Sequence, residues 1–261
     1  MDNFFIIRYF DWKVRRSSNV DRLLNVVTRR AGVNSDTAAA VDRVIHRVTG
    51  LKFAPTRSGI STNVEQRMNM YHLVSQVLAY DVPGDLVEVG CNEGQSSALI
   101  TQVMKSHGST KTLHVYDSFE GLPSTRSEDG NSYHAGDLAT TREVLIDNFR
   151  AHGLDLPIIH KGWFDQTLPR DLPETICFAH LDGDLYDSIM VSLTHVYPRL
   201  SPGAVCLVDD YCDPAINPDG WNHLPGVKKA CDTFMADKPE EICYLYSGAF
   251  THAFFRKSGP H

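Results

Sequence analysis

From Pro83 to the end of the chain, short apolar runs alternate with stretches in which apolar residues recur every three or four positions. That alternation predicts an α/β fold, a doubly wound and mostly parallel sheet with helices between its strands. Strands are expected at residues 86–89, 112–116, 157–160, 176–181 and 204–208, and helices at 95–106, 140–151, 187–197 and 226–235. Thr140 and Glu143 form a capping box at the second of these helices. Two further strands, 242–246 and 252–255, flank Ser247-Gly248-Ala249, so a hairpin is expected to add an antiparallel partner at one edge. Before Pro83 the periodicity is helical. Residues 19–30 align Val20, Leu23, Leu24 and Val27 and end at Gly32; residues 35–48 align Val41, Val44, Ile45 and Val48 and end at Gly50. Thr62 and Glu65 make another capping box, opening a helix to about Tyr80 with Val64, Met68, Tyr71 and Val74 or Leu78 inward. Residues 1–60 therefore read as a helical arm and residues 61–261 as the main domain. Such an arm packs on its own core or on a partner subunit, with a homo-oligomer as the expectation, or it covers a substrate as a lid.

Composition narrows the partners. The 261 residues are 42% hydrophobic, enough for one sizeable core, and the formal charge of -7 argues against a nucleic-acid partner, which would call for clustered Lys and Arg. The apolar start of the chain is too short for a signal peptide, and no stretch reaches the about 20 apolar residues of a membrane span. None of the six cysteines forms a C-x-x-C pair, and Cys177 and Cys206 fall inside strands, so buried thiols in a reducing, cytoplasmic setting are expected.

Two groups of residues carry chemistry. After the first strand comes Glu88-Val89-Gly90-Cys91-Asn92-Glu93-Gly94, and the second ends at Tyr116-Asp117-Ser118. A glycine-bearing turn lets backbone approach a ligand, and an acid at the next strand tip accepts ribose hydroxyls. The triple-glycine dinucleotide fingerprint is absent, and an acid at Glu88 would repel a pyrophosphate. S-adenosylmethionine fits better: Asp117 takes its ribose, and the turn from Glu88 to Gly94, Asn92 included, suits its ammonium. The second group is Leu181-Asp182-Gly183-Asp184 with Val208-Asp209-Asp210, apolar strands ending in carboxylates. Asp182, Asp209 and Asp210 are hard oxygen ligands suited to Mg2+ or Ca2+ rather than zinc, and crowded carboxylates call for a cation. An isolated Asp-Asp pair also suits a surface turn, and Asp187 reads as the N-cap of the following helix.

The blocks Pro83-Gly84-Asp85-Leu86-Val87-Glu88-Val89-Gly90, Asp117-Ser118-Phe119-Glu120-Gly121-Leu122-Pro123, Lys161-Gly162-Trp163-Phe164, Leu181-Asp182-Gly183-Asp184-Leu185-Tyr186 and Val208-Asp209-Asp210-Tyr211 resemble, in order, the macrocin O-methyltransferase (TylF-like) family. Its members include sugar O-methyltransferases of the mycinamicin and novobiocin pathways. The resemblance implies a class I methyltransferase (Rossmann-like) fold, S-adenosylmethionine and Mg2+ as cofactors, and a glycosylated small-molecule acceptor. By family pattern Glu88, Gly90 and Ser96 line the methionine end, with Gly94 in the same turn. Asp117 takes the ribose with Ser118 nearby, Gly162 and Trp163 border the adenine, and Asp184 is the general base. Cys91-Asn92-Glu93-Gly94 departs from the family's turn, and Asp137 is expected to bind there or only to shape its loop. An arginine near the cofactor corresponds to Arg67, which also reads as a solvated helical charge.

Tyr186, Tyr211, Trp221 and His223 are candidates for the acceptor site, although Trp221 equally suits loop packing. His180 reads as a hydrogen-bonded core histidine, and His134 and His160 receive no role. The long loop at residues 122–137 reads as a cover. Three readings compete with the sugar O-methyltransferase. One is methylation of a catechol-like phenol. A second takes Asp182-Gly183-Asp184 as the D-x-D of a glycosyltransferase. The third is a non-catalytic adenosine-binding module.

Overall fold

The computed structural model describes residues 62–259, within the larger of two units that divide after Ser61. The helices expected at 19–30 and 35–48 lie outside the described residues. Seven strands form one sheet: β1 (Asp85–Val89), β2 (Leu113–Asp117), β3 (Ile158–Lys161), β4 (Ile176–Leu181), β5 (Leu200–Asp209), β6 (Cys243–Leu245) and β7 (His252–Arg256). Their order is β3-β2-β1-β4-β5-β7-β6. The first five pair in parallel, and β7 runs antiparallel to both β5 and β6. The expected hairpin thus sits at one edge, but its second strand is inserted beside β5 and its first, β6, becomes the border.

Every residue of β4 is buried, as continuous apolar runs require when both faces are covered. One layer is α1 (Val64–Ala79) against α2 (Gln95–Ser106). The other is a row of α4 (Phe164–Asp171), α5 (Tyr186–Val196) and α6 (Pro225–Met235). Between them in sequence, α3 (Arg142–Ala151) buries Leu145 and Phe149. The reversal of winding between β1 and β4 opens a crevice at the carboxyl ends of the strands, where ligands of such sheets bind.

Three local expectations are corrected. In α1 the cap is Asn63, which accepts from the Gln66 amide at 2.7 Å while the Gln66 side chain accepts from the Asn63 amide at 2.9 Å. The inward stripe is Met70, Leu73, Val74 and Val77, whereas Val64 and Met68 are exposed. The stripe was misassigned because its first turn carries Gln66 and Arg67, two buried polar residues that an apolar count passes over. In α3 the cap is Thr141, one residue later than expected. Helix α4 was not anticipated, since it is short, buries only Thr167 and Leu168, and contains Pro169.

Glu240 fastens the far end of this sheet. It accepts from Tyr197 Oη at 2.6 Å, from Lys257 Nζ at 2.9 Å and from Ser258 Oγ at 2.7 Å. Burial opposes its ionisation, but these donors outweigh burial and hold its carboxyl at about 2. A folded pKa below the unfolded value of about 4.3 contributes stability that is present above that value and lost as pH falls toward 2. Glu240→Gln is therefore expected to cost about 1–2 kcal/mol in urea unfolding at pH 7 and to flatten the loss of stability between pH 4.3 and 2. An unchanged acid limb in the variant would count against this account.

Candidate active site

The chain leaves β1 through Gly90, whose φ of 91° and close approach to β4 both demand glycine: a Cβ there would stand 1.8 Å from the Asp182 carbonyl oxygen. Asp182 N–H in turn bonds the Val89 carbonyl at 2.8 Å, so the two loops emerge fused. The turn ends at Gly94, which caps α2 with φ 83° against Leu145 and Phe149 of α3. Between them Asn92 donates its N–H to Asp117 Oδ2 at 2.8 Å, and Phe119 N–H bonds Oδ1 at 2.7 Å. The carboxylate of Asp117 still has lone-pair capacity for a ligand hydroxyl. Burial, moderated by these bonds, raises its carboxyl above the usual range.

Ser96 is half-buried on the first turn of α2. Ser118 Oγ is turned into its own loop, donating to the Gly121 carbonyl. Gly162 N–H bonds the Asp117 carbonyl at 2.9 Å, placing Trp163, the cap residue of α4, beside the same strand end. Glu88 is positioned differently from the expectation of an ammonium contact. It is wholly buried, with one oxygen bonded by Ser97 and the other by His180 Nδ1 at 2.9 Å. This carboxylate supports the turn from behind, and His180 is the core histidine anticipated. Arg67 is buried and donates to the Thr62 carbonyl at 2.9 Å.

At the ends of β4 and β5, Asp182, Asp184 and Asp210 each offer a carboxylate oxygen within 4.8 Å of the others. Asp209 was expected in this group; it stands just behind it. Its Oδ1 accepts from Gln66 Nε2 at 2.8 Å and from the Asp210 amide at 2.9 Å, and His252 Nε2 lies 3.1 Å away. Burial alone would raise the Asp209 carboxyl, but the His252 and His180 rings outweigh it and hold it at about 2. Its charge then acts on the other acids: burial first and Asp209 second push Asp182 and Asp210 well up, and Asp184 to about 7. Neither Gln66 nor His252 was identified from the sequence. Gln66 is visible only as a capping residue, 143 positions from its carboxylate partner.

The walls of the crevice are two loops. The loop at 122–137 is pinched shut at its base by paired bonds between Leu122 and residues Gly136 and Asp137, and Asp137 Oδ2 caps the His134 amide, a loop-shaping role. Its Asp129 is buried and accepts the Tyr186 N–H at 2.6 Å, doing for α5 what Asp187 was expected to do. Asp187 instead pairs with Arg126 at 2.5 Å. Tyr186 therefore sits at the start of α5, two residues from Asp184. Trp221 and His223, on the loop at 210–224, pack with ring centroids 4.9 Å apart and planes tilted by 34°, and His223 Nδ1 meets Ser132 of the first loop at 3.0 Å. Tyr211 is not part of this wall: it is buried, with its hydroxyl bonded to Asp232 of α6.

Residues 10–230 match the family model described as macrocin-O-methyltransferase (TylF). The chain belongs to the macrocin O-methyltransferase family. It is 39% identical over 153 residues to the 8-demethyl-8-(2,3-dimethoxy-alpha-L-rhamnosyl)-tetracenomycin-C 4'-O-methyltransferase of Streptomyces olivaceus, covering 55% of this chain and 59% of that relative. It is 34% identical over 173 residues to mycinamicin III 3''-O-methyltransferase of Micromonospora griseorubida, covering 62% and 68% respectively. The match thus spans about three fifths of the first relative's length. The solved structure of the O-methyltransferase NovP superposes with a TM-score of 0.63 at 30% identity, over 76% of this chain and 81% of that one. The fold of this macrocin O-methyltransferase family member is accordingly that of a class I methyltransferase. Among the described residues no helix is long and apolar enough to cross a membrane, and the six cysteines are unpaired, with Cys243 the exposed one.

The close passage of β1 and β4 makes Gly90 the most exacting position of the turn. Gly90→Ala is expected to cost at least about 3 kcal/mol, against about 1 kcal/mol for Gly136→Ala, which bears only the left-handed backbone cost with nothing near its added Cβ. Equal costs for the two variants in urea unfolding would mean that the approach to Asp182 is not the constraint.

Proposed function

We propose that this chain is an S-adenosylmethionine- and Mg2+-dependent O-methyltransferase that methylates a sugar hydroxyl of a glycosylated natural product. The observation that carries the reading is the convergence of Asp182, Asp184 and Asp210 beside the Gly90–Gly94 turn and Asp117. Family membership and relatives named for methylation of glycosylated compounds support it. The donor set fits a hard cation, because it is all oxygen and its members raise one another's pKa. Asp182 and Asp210 would hold Mg2+, with Asp209, whose Oδ1 is taken by Gln66 and the Asp210 amide, left to offer Oδ2 from behind them; the ion, when bound, would lower the pKa of a chelated hydroxyl. S-adenosylmethionine would supply the electrophilic methyl, its ribose on Asp117 and its methionine end along Gly90, Asn92, Gly94 and Ser96.

Asp184 accepts the proton of the attacking hydroxyl. One of its carboxylate oxygens lies within 4.8 Å of those of Asp182 and Asp210, close enough to take a proton from a hydroxyl held at that site. Its backbone is left-handed, φ 60°, at a turn that Asp129 braces through the Tyr186 amide, so the carboxylate is held in place before any acceptor arrives. The two loops exclude water from a reaction that neutralises charge. Trp221 and His223 offer a stacking face for the acceptor; Tyr211 would act only through packing.

The proximity of Asp184 to Asp182 and Asp210 favours one second reading, in which Asp184 is itself a metal ligand. A phenolic diol would present the same two oxygens as a sugar, so acceptor class is decided by assay. The glycosyltransferase reading of Asp182-Gly183-Asp184 explains neither the strand order nor the family match.

Methyl transfer from labelled S-adenosylmethionine to a panel of glycosylated metabolites and catechols, with and without EDTA, tests the proposal. Transfer to glycosylated acceptors that stops on chelation is the expected result, and transfer surviving full chelation would sink the metal role. Asp184→Asn is expected to abolish turnover while cofactor and metal binding persist; loss of metal binding would make Asp184 a ligand instead of the base.

A further inference from the structure

Asp209 is the acid of this site most heavily surrounded by partners, and two of them come from elements remote from it in sequence. Gln66 donates from the first turn of α1. The direction of its amide is fixed, because its oxygen is already taken by the Asn63 N–H at 2.9 Å, which leaves the nitrogen facing Asp209. A glutamate would cap α1 equally well but would set a second carboxylate against the first. His252 arrives from β7, where it is the direct antiparallel partner of Asp209 in the sheet. His180 stands 3.8 Å from the remaining oxygen and ties the group back to Glu88.

Gln66, His180 and His252 are all buried, and His180 Nε2 and both ring nitrogens of His252 have no hydrogen bond of good geometry. Unmatched buried polar atoms are costly, and they concentrate where a fold serves a site. What they surround here is one carboxylate: Gln66 and His252 meet its Oδ1, which also holds the Asp210 amide and with it the left-handed Asp210 backbone, φ 56°, while His180 faces Oδ2.

We propose that Gln66 and His252 are positioning residues for the metal, clamping Asp209 from α1 and β7 and, through the Asp210 amide, aiming the second acid of the pair. The proposal rests on the reading of Asp182, Asp209 and Asp210 as ligands. Partners of this kind orient a metal-binding carboxylate and set its affinity without touching the ion.

The test is titration of the full chain with Mn2+, an oxygen-seeking stand-in for Mg2+, followed by electron paramagnetic resonance of the free ion. Affinity for S-adenosylmethionine and the melting temperature are measured on the same samples. Wild-type protein should bind Mn2+ saturably and Asp182→Asn should lose it. Gln66→Met and His252→Phe should each weaken Mn2+ binding about 10- to 100-fold with cofactor affinity unchanged. His252→Gln, which keeps a side-chain N–H, should recover most of the loss. Wild-type affinity in Gln66→Met and His252→Phe overturns the proposal and leaves the metal reading standing, whereas no saturable binding by the wild type removes both. A parallel fall in metal and cofactor affinity, unrescued by His252→Gln, marks a merely structural role and also overturns it. Mn2+ retained in Asp182→Asn but lost in His252→Phe would place the ion among His180, Asp209 and His252, again against the proposal.

Discussion

Repulsion between crowded carboxylates, two of them buried and four half-buried, is the constraint to which this end of the molecule answers. Glu88, Asp117, Asp182, Asp184, Asp209 and Asp210 come from four adjacent strands and their loops, and desolvation raises most of them before any neighbour acts. Charges so placed are tolerated only where positive groups or hydrogen bonds compensate them. The fold compensates unevenly. Glu88 and Asp209 receive His180, His252, Ser97 and Gln66, whereas Asp182, Asp184 and Asp210 face the crevice with little of their own. Asp209 is held low behind, the acids of raised pKa stand in front, and it is the front row that meets whatever enters.

The backbone carries a matching signature. Among the described residues six non-glycine residues are left-handed, and besides Asp81 and Leu138 these are Asn92, Phe119, Asp184 and Asp210, which lie just past the ends of β1, β2, β4 and β5. Such conformations cost energy and persist where surrounding structure over-determines them. The supports are identifiable: Asp117 bonds the amides of Asn92 and Phe119, Asp129 braces the turn after Asp184, and Asp209 holds the amide of Asp210. In three of these four loops the acid that reads as functional is also the acid, or the neighbour of the acid, that stabilises the strained turn.

The sheet was legible in the sequence because its central strands are buried on both faces and therefore appear as uninterrupted apolar runs ending in acids. Helix α2 was legible down to both ends, since Gly94 opens it and its apolar residues keep one face. Helix α4 was not, because a short polar segment carrying Pro169 has no periodicity to detect. The stripe of α1 is hidden for a related reason: Gln66 and Arg67 are polar yet point inward to make hydrogen bonds. The candidate site was legible as a set of residues at strand ends and not as an arrangement. Nothing local to Asp209 reveals that Gln66 and His252 will close on it, and nothing local to Tyr211 reveals that its hydroxyl will turn to Asp232.

The insertion of β7 between β5 and β6 has a consequence for the order in which the molecule is completed. A chain made from its N-terminus presents Asp182, Asp184, Asp209 and Asp210 while β5 is still the open border of the sheet, with nothing opposite Asp209. His252 comes 43 positions after Asp209, as part of the strand that closes that border. The acids are thus assembled before the side chain that backs Asp209, and the strand that covers the border of β5 also completes the surroundings of the crevice.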